Sequence, residues 1–213
     1  MVKGIIFDLD GTLLDTLPDI MITLNRVLEK FGYSELSREK CRDYIGNGAR
    51  KLVERALPAG APFDEPFEKY AKLYALNDGE HTEYFDGVLT FLKSAVSRGV
   101  KLAIITNKPQ RVLDKTCAKF FADIPFVEKI GQSDNTPLKP DPTSTLGVIK
   151  LMGLKNSECL FIGDGETDVE TARRAGVECI SVLWGYRSKE SLKNAGANKF
   201  VNSYKELENL IFG

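Results

Sequence analysis

Short, uninterrupted apolar runs constrain the fold of this chain more than any other feature of its sequence. Runs that lack polar alternation are typical of strands buried on both faces of a parallel sheet. Amphipathic segments with helical periodicity lie between them, and this alternation predicts an α/β fold with a Rossmann-like, doubly wound parallel sheet. The apolar runs cover residues 3–8, 100–106, 158–164 and 178–185, with a weaker fifth run at 199–203. The amphipathic segments cover residues 87–98, 109–121, 142–153 and 166–175.

Residues 15–83 interrupt this alternation, because they contain no convincing strand. Their periodicity predicts four helices instead, near residues 17–31, 37–45, 48–57 and 64–77. We therefore predict a core domain formed by residues 1–14 and 84–213, and a small all-helical cap domain, residues 15–83, inserted after strand 1. Ligands of open α/β sheets bind at the carboxyl ends of strands, so an insert that leaves the first strand there would cover the site.

Composition restricts the partners that this chain can bind. Its 29 Lys and Arg residues nearly balance its 30 Asp and Glu residues, and its formal net charge is −1. This balance gives no electrostatic basis for binding nucleic acid or an anionic membrane. No apolar run approaches the roughly 20 residues of a membrane span, and the N-terminus has the pattern of a strand rather than of a signal peptide. We expect a cytoplasmic protein, monomeric or homodimeric, that binds neither nucleic acid nor membrane.

Polar and acidic residues gather where the predicted strands end. In a parallel sheet the carboxyl ends of the strands meet at one edge, so these residues should lie together. Clustered carboxylates repel one another and need a compensating cation, and oxygen ligands of this kind suit Mg²⁺. The residues at the strand ends are Asp8, Asp10, Thr106, Asn107 and Asp164, with Asp168 four residues further on and Lys139 in a loop before a helix.

The spacing of Asp8 and Asp10 indicates two different tasks, although a solvated acidic turn would explain this stretch taken alone. Residues i and i+2 project to the same side of a strand, so Asp8 can attack a phosphoryl group while Asp10 reaches the leaving oxygen as acid and base. A bound Mg²⁺ lets an ionised carboxylate approach an anionic phosphoryl group without prohibitive repulsion. Gly11 then allows a sharp turn whose backbone can approach a ligand closely.

Four motifs, in the family's order along the chain, resemble those of haloacid dehalogenase superfamily phosphatases. Each motif alone is a weak pattern, but all four at the expected strand ends form a specific signal. The resemblance implies an enzyme, a Mg²⁺-dependent phosphomonoester hydrolase that works through an aspartyl-phosphate on a small phosphorylated metabolite. It also implies that the helical insert is the small cap that closes over the substrate in this family. The motifs are DLDGTLLD at 8–15, ITN at 105–107, LKPDP at 138–142 and GDGETD at 163–168.

The resemblance implies a role for each residue that matches these motifs. Asp8 would be the nucleophile, and Asp10 would protonate the leaving group and later activate water. Thr106 would hydrogen-bond the transferring phosphoryl group, and the neighbouring Asn107 is counted among the substrate-binding residues. Lys139 would neutralise the charge of the phosphoryl group and of the nucleophile.

The same resemblance implies a metal site. The Asp8 carboxylate, the Asp10 carbonyl and Asp164 would hold Mg²⁺, with Asp168 in support. Thr12, in the turn that leads from the first two acids toward the cap, is counted among the substrate-binding residues.

The segment YIGNGARKLVERAL at 44–57 is the most informative part of the predicted cap. Gly46, Asn47 and Gly48 open a helix there, and the free backbone N–H groups at a helix start favour an anion. Arg50 and Lys51 would reinforce this attraction, although an ordinary capped helix with solvated basic residues explains the same pattern. The segment resembles the cap loop of bacterial phosphoglycolate phosphatases, which meets the carboxylate end of the substrate. This resemblance implies 2-phosphoglycolate as the substrate.

Three alternatives remain open at the level of sequence. A phosphatase for another small metabolite, such as pyrophosphate, a nucleotide or a sugar phosphate, would share much of the cap. A β-phosphoglucomutase-like phosphomutase would use the same aspartyl-phosphate but return the phosphoryl group to its substrate. A non-catalytic binding domain is the least favoured alternative, because every catalytic position is intact.

Overall fold

All five apolar runs form strands. The computed structural model describes residues 1–213, which is the whole chain. The strands are β1 (Gly4–Phe7), β2 (Leu14–Asp15), β3 (Glu83–Tyr84), β4 (Lys101–Pro109), β5 (Phe126–Gln132), β6 (Cys159–Gly163), β7 (Glu178–Val182) and β8 (Phe200–Val201). The α-helices are α1 (Leu17–Lys30), α2 (Arg38–Tyr44), α3 (Gly48–Ala56), α4 (Asp64–Leu76), α5 (Val88–Ser97), α6 (Gln110–Phe120), α7 (Thr143–Met152), α8 (Glu166–Ala175), α9 (Lys189–Asn194) and α10 (Tyr204–Phe212).

Six of the strands form one parallel sheet in the order β5-β4-β1-β6-β7-β8. From β1 the chain first adds β4 and β5 on one side, and it then adds β6, β7 and β8 on the other. The strand order therefore reverses at β1, and open α/β sheets bind their ligands at such a point, beyond the carboxyl ends of the strands. The predicted Rossmann-like, doubly wound α/β fold is confirmed.

Strand β1 is buried on both faces, because helices cover both sides of the sheet. Ile5 and Phe7 belong to an apolar cluster on one face, where residues of α5, α6 and α10 such as Phe91 pack against them. Ile6 belongs to a cluster on the other face, with residues of α7 and α8 such as Met152. Successive side chains of a strand point to opposite faces, so a continuous apolar run is needed to fill both layers.

Helices α1 to α4 form a separate layer, which we call the cap. They pack around an apolar cluster of their own, which includes Leu24, Tyr70 and Tyr74. Each of these helices begins and ends within one residue of its predicted bounds. The division of the chain into domains at residues 15 and 83 stays a prediction.

A two-stranded antiparallel ribbon joins the cap to the sheet. Strand β2 leaves the sheet and β3 returns to it, and they pair Leu14 with Tyr84 and Asp15 with Glu83. The prediction that residues 15–83 contain no strand is therefore wrong at its two ends. Strands of two residues are too short to have a periodicity, so the sequence pattern cannot reveal them.

The sequence pattern also does not predict β5, α9 or α10. Strand β5 lies at the edge of the sheet, and Val127, Glu128 and Lys129 within it are exposed. It therefore lacks the continuous apolar run that marks the central strands. Helix α9 has only six residues, which is fewer than two turns.

The side chain of Tyr186, in the loop after β7, fixes the start of the cap. Its hydroxyl accepts hydrogen bonds from the backbone N–H groups of Thr16 and Leu17, at 2.9 and 3.0 Å. It donates a hydrogen bond to Oδ1 of Asp15, at 3.1 Å. A helix leaves its first N–H groups without partners inside the helix. The loop after β7 supplies the acceptor that the first turn of α1 needs.

We expect the Tyr186→Phe variant to unfold at a lower urea concentration than the wild type. Without the hydroxyl, the buried N–H of Thr16 loses its acceptor and that of Leu17 keeps only Oδ1 of Asp15 at 3.2 Å, which should lower the free energy of unfolding by about 1–3 kcal/mol. Tyr33→Phe is the matched control, because Tyr33 packs against the cap and lies away from this junction. Equal stability of the two variants would contradict the assigned role of the Tyr186 hydroxyl.

Candidate active site

Three carboxylates meet at the carboxyl edge of the sheet. Asp8 directly follows β1, Asp164 directly follows β6, and Asp168 lies in the first turn of α8. One oxygen of each carboxylate lies within 4.8 Å of the others. The parallel sheet thus brings together acids that are up to 160 residues apart in sequence (168 − 8). We call these three residues the acidic cluster.

Lys139 neutralises part of the acidic cluster. Its Nζ lies 2.8 Å from Oδ1 of Asp8 and 2.6 Å from Oδ1 of Asp168, and its side chain is only 3% exposed. Burial lowers the pKa of the Lys139 ammonium, but the Asp168 and Asp8 carboxylates outweigh burial and hold the pKa above its ordinary value. Lys139 is therefore a permanent cation beside Asp8.

Three glycines let the backbone approach the acidic cluster closely. A Cβ on Gly185 would lie 2.5 Å from Oδ2 of Asp164 and 2.5 Å from the Gly11 carbonyl oxygen. A Cβ on Gly163 would lie 2.5 Å from Cβ of Asp168. Contacts below 3 Å do not occur for real side chains, so the site requires glycine at these positions. The sequence motifs include Gly11 and Gly163 but not Gly185, which is the last residue of the apolar run at 178–185.

Thr12 supports Asp164 and does not face the cavity, which corrects its prediction as a substrate-binding residue. Its hydroxyl donates a hydrogen bond to Oδ1 of Asp164 at 3.0 Å, and its side chain is fully buried. The backbone N–H of Tyr186 donates to the other oxygen, Oδ2, at 2.7 Å. Both oxygens of Asp164 are thus held in place by the protein.

Asp10 is held apart from the acidic cluster by partners of its own. Its Oδ1 accepts a hydrogen bond from the hydroxyl of Thr16 at 2.7 Å and forms an ion pair with Nζ of Lys108 at 2.8 Å. Lys108 directly follows the ITN motif but does not belong to it, so the motifs predict no role for it. A lysine just beyond a strand end is usually solvated, and only the cap placed over it reveals its burial.

Asn107 positions other parts of the site rather than facing the cavity with a free amide. Its Nδ2 donates to the carbonyl oxygens of Gly46 and Lys139, at 3.0 and 3.1 Å. Its Oδ1 accepts from the N–H of Lys139 at 2.8 Å. These three bonds fix the lysine and attach the cap loop to the sheet. Thr106 lines the cavity as predicted, and its Oγ1 accepts from the N–H of Lys108 at 3.3 Å.

The cap loop is placed over the site, but its arginine is not. Gly46 and Gly48 line the cavity, and Asn47 lines the adjoining cleft. The Arg50 guanidinium instead lies 4.4 Å from the centre of the Phe63 ring, a cation–π contact on the outer side of α3. The prediction that Arg50 binds substrate is corrected accordingly.

A cavity lies between the cap and the strand ends, with about 470 Å³ of atom-free space when its opening to solvent is included. Its floor carries Asp8, Asp10, Thr106 and Lys139, and its ceiling is formed by apolar and aromatic cap residues. The cavity is a small one, with the charged chemistry confined to one end. The ceiling residues are Ile20, Ile45, Ala49, Leu52, Tyr70 and Tyr74.

Residues 5–182 match the model of the haloacid dehalogenase-like hydrolase family. The chain belongs to this family. Phosphoglycolate phosphatase 1 of Pseudomonas aeruginosa is 34% identical to it over 215 residues, which cover 95% of this chain and 77% of that protein. The family and this relative identify the chain as a phosphatase, and the prediction of a phosphatase is confirmed.

Two solved structures of predicted phosphoglycolate phosphatases share the whole fold of this hydrolase. The protein from Lactobacillus delbrueckii subsp. bulgaricus has a TM-score of 0.90 at 30% identity, and the alignment covers 99% of this chain and 98% of that one. The protein from Haemophilus somnus also has a TM-score of 0.90, at 25% identity, with 98% and 97% covered. Both alignments include the cap as well as the sheet.

Small phosphorylated molecules are the substrates of such phosphatases, in agreement with the size of the cavity. None of the helices in this hydrolase combines the length and the apolar character needed to cross a membrane.

The acidic cluster of this hydrolase fits a divalent cation, which phosphatases of the family generally use. Burial raises the pKa of Asp164 to about 8, and repulsion from Asp8 and Asp168 adds to the effect. Burial likewise raises the pKa of Asp8 to about 6, against the lowering effect of Lys139. Three carboxylates face one ammonium, so the cluster has a surplus of negative charge. Oxygen donors at this spacing are the ligands of a hard divalent ion.

We expect the Gly185→Ala variant to bind Mg²⁺ about 10- to 100-fold more weakly, the usual effect of disturbing the support of a metal ligand. The added methyl group would displace Asp164 or the Gly11 carbonyl. The measurement is the Mg²⁺ concentration that gives half of the maximal rise in melting temperature. Gly147→Ala in α7 is the control, because a Cβ there meets nothing within 4 Å. Equal Mg²⁺ affinities of the two variants would contradict this role of Gly185.

We also expect the addition of Mg²⁺ to raise the melting temperature more at pH 8 than at pH 6. The pKa of Asp164 is raised from 3.8 to about 8 in the folded chain, which therefore binds more protons than the unfolded chain between these pH values. Stability of the metal-free protein should thus fall as pH rises through this range. Mg²⁺ needs the ionised carboxylates, so its effect grows as they lose their protons. Melting curves with and without Mg²⁺ at the two pH values test this, and a smaller Mg²⁺ effect at pH 8 would contradict it.

Proposed function

We propose that this phosphatase is a Mg²⁺-dependent phosphomonoester hydrolase that works through an aspartyl-phosphate and acts on 2-phosphoglycolate. The observation that carries the mechanism is the position of Asp8. This carboxylate lines the cavity, lies within 4.8 Å of the other two acids and is paired with Lys139. It is therefore the carboxylate that both a substrate and a cation can reach.

In the first step, an oxygen of Asp8 attacks the phosphorus atom and the bond from phosphorus to the ester oxygen breaks. Asp10 gives its proton to the leaving alkoxide. When bound, Mg²⁺ supplies positive charge that reduces the repulsion between the phosphoryl oxygens and the carboxylates. Lys139 supplies a second positive charge beside Asp8, and the Thr106 hydroxyl, which lines the same cavity, donates to a phosphoryl oxygen.

In the second step, Asp10 takes a proton from a water molecule, which attacks the phosphorus atom of the aspartyl-phosphate. The bond from phosphorus to Asp8 breaks, and inorganic phosphate leaves. Oδ1 of Asp10 is occupied by Thr16 and Lys108, so Oδ2 is the oxygen that carries the proton. These two partners keep the carboxylate in one orientation through both steps.

The cap and the relatives named above support phosphoglycolate as the substrate. The cavity takes a small molecule, and the backbone of Gly46 and Gly48 at the start of α3 borders it. A helix start of this kind favours a second anionic group on the substrate. Pyrophosphate and larger phosphate esters are the competing substrates.

We expect the Asp8→Asn variant to lose about 10⁴-fold or more of kcat on an aryl phosphate, because the amide cannot act as the nucleophile. Its melting temperature should not fall, since burial already disfavours the charged form of Asp8. Asp123→Asn, at an exposed position, is the control and should keep full activity. Activity of Asp8→Asn near the wild-type level, or full activity in a chelator, would overturn the mechanism.

The substrate is tested by phosphate release from phosphoglycolate, pyrophosphate, nucleoside monophosphates and hexose phosphates. Phosphoglycolate should rank first by kcat/KM. A lower rank would overturn the substrate assignment and leave the mechanism intact. Phosphorus NMR of the products separates hydrolysis, which yields free phosphate, from phosphoryl transfer within a sugar phosphate.

A further inference from the structure

Lys108 is a buried cation that borders the cavity, and in the steps above it only orients Asp10. Its side chain is 3% exposed, and it belongs to the lining of the cavity. Nζ pairs with Oδ1 of Asp10 at 2.8 Å and donates a hydrogen bond to the hydroxyl of Tyr74 in cap helix α4. An ammonium group has three N–H donors, and these two partners use two of them.

The other cations near the cavity are committed elsewhere. Lys139 is bound to Asp8 and Asp168 at the phosphoryl end. In the cap helix α3, Arg50 lies over an aromatic ring and Lys51 pairs with Glu54 at 2.8 Å on the surface. Lys108 and Lys139 are the only cations among the residues that line the cavity.

The position of Lys108 relative to Asp10 determines which part of a substrate it can meet. In the proposed mechanism Asp10 contacts the ester oxygen, and the Lys108 ammonium is 2.8 Å from the same carboxylate. A group two bonds beyond the ester oxygen therefore comes close to Lys108. In phosphoglycolate the carbon atom at that place belongs to the carboxylate.

We propose that Lys108, assisted by the Tyr74 hydroxyl, is the subsite for a carboxylate carried two bonds from the ester oxygen, and so determines specificity. This inference rests on the proposed function. The third N–H of Lys108 donates to the substrate carboxylate, and charge-assisted bonds of this kind are the strong ones. The surrounding cap side chains of Ile45, Leu52 and Tyr70 are apolar or aromatic, so Lys108 is the cationic side chain at that end of the cavity and acts there together with the backbone at the start of α3.

A purely structural role makes a different prediction. If Lys108 only orients Asp10, its loss slows every substrate by the same factor. If it binds the carboxylate, its loss slows phosphoglycolate more than ethyl phosphate, which has a methyl group in place of the carboxylate. The ratio of kcat/KM for these two substrates separates the roles. Poorer orientation of the acid slows the more basic leaving group, ethoxide, at least as much, so a positioning role alone cannot lower this ratio.

We expect the ratio of phosphoglycolate to ethyl phosphate to fall about 10- to 100-fold in Lys108→Met, the range that a hydrogen bond to a charged group supplies. Methionine keeps the apolar stem of the side chain and removes the charge. Tyr74→Phe, which keeps the ring and the fold, should lower the ratio less, by about 3- to 10-fold. Lys51→Met is the surface control and should leave the ratio unchanged.

Equal losses on both substrates in Lys108→Met and in Tyr74→Phe would overturn the subsite and make Lys108 a positioning residue for Asp10. A wild-type ratio near one would instead contradict the proposed substrate. In that case the subsite is tested by measuring the inhibition constant of glycolate in the hydrolysis of ethyl phosphate. Its inhibition constant should rise in Lys108→Met by about 10- to 100-fold, and an unchanged constant overturns the inference.

Discussion

The pairing of Lys139 with Asp8 and Asp168 is the interaction on which the rest of the site depends. Two like unit charges 4 Å apart repel by about 4 kcal/mol at an effective dielectric constant of 20, so three buried carboxylates need a fixed cation beside them. The fold holds this cation through Asn107, which hydrogen-bonds both backbone polar groups of Lys139. The same amide donates to the carbonyl of Gly46, so the side chain that holds Lys139 in place also holds the cap loop.

The two sides of Asp8 have different chemical characters. Toward the sheet, Asp8 meets Asp164, Asp168 and Lys139, and this side is polar and rigid. Toward the cap, the cavity becomes apolar within one layer of side chains, and its remaining charge is the Lys108–Asp10 pair. A phosphate group and the rest of a small substrate therefore meet separate surfaces. The first surface follows from the motifs, and the second is particular to this cap.

The sheet and the polar residues at its edge could be predicted from the sequence for a simple reason. Central parallel strands need continuous apolar runs, and their carboxyl ends coincide in space, so Asp8, Thr106 and Asp164 converge without further information. Side-chain direction could not be obtained in this way. Arg50 lies two residues after Gly48, which is about 200° around a helix, so it points away from the cavity that Gly48 borders. The burial of Lys108 could not be predicted either, because it results from the cap that covers this side chain.

The ribbon of β2 and β3 limits how the two layers can separate. Because β2 and β3 are paired side by side, they act as a single connection between the cap and the sheet. A movement of the cap away from the sheet would therefore be mainly a rotation about this ribbon. Such a rotation breaks the bonds from Lys108 to Tyr74 and from Asn107 to Gly46. The position of the cap over the strand ends therefore depends on contacts that include these two, so a change at Lys108 or Asn107 alters the attachment of the cap as well as the site below it.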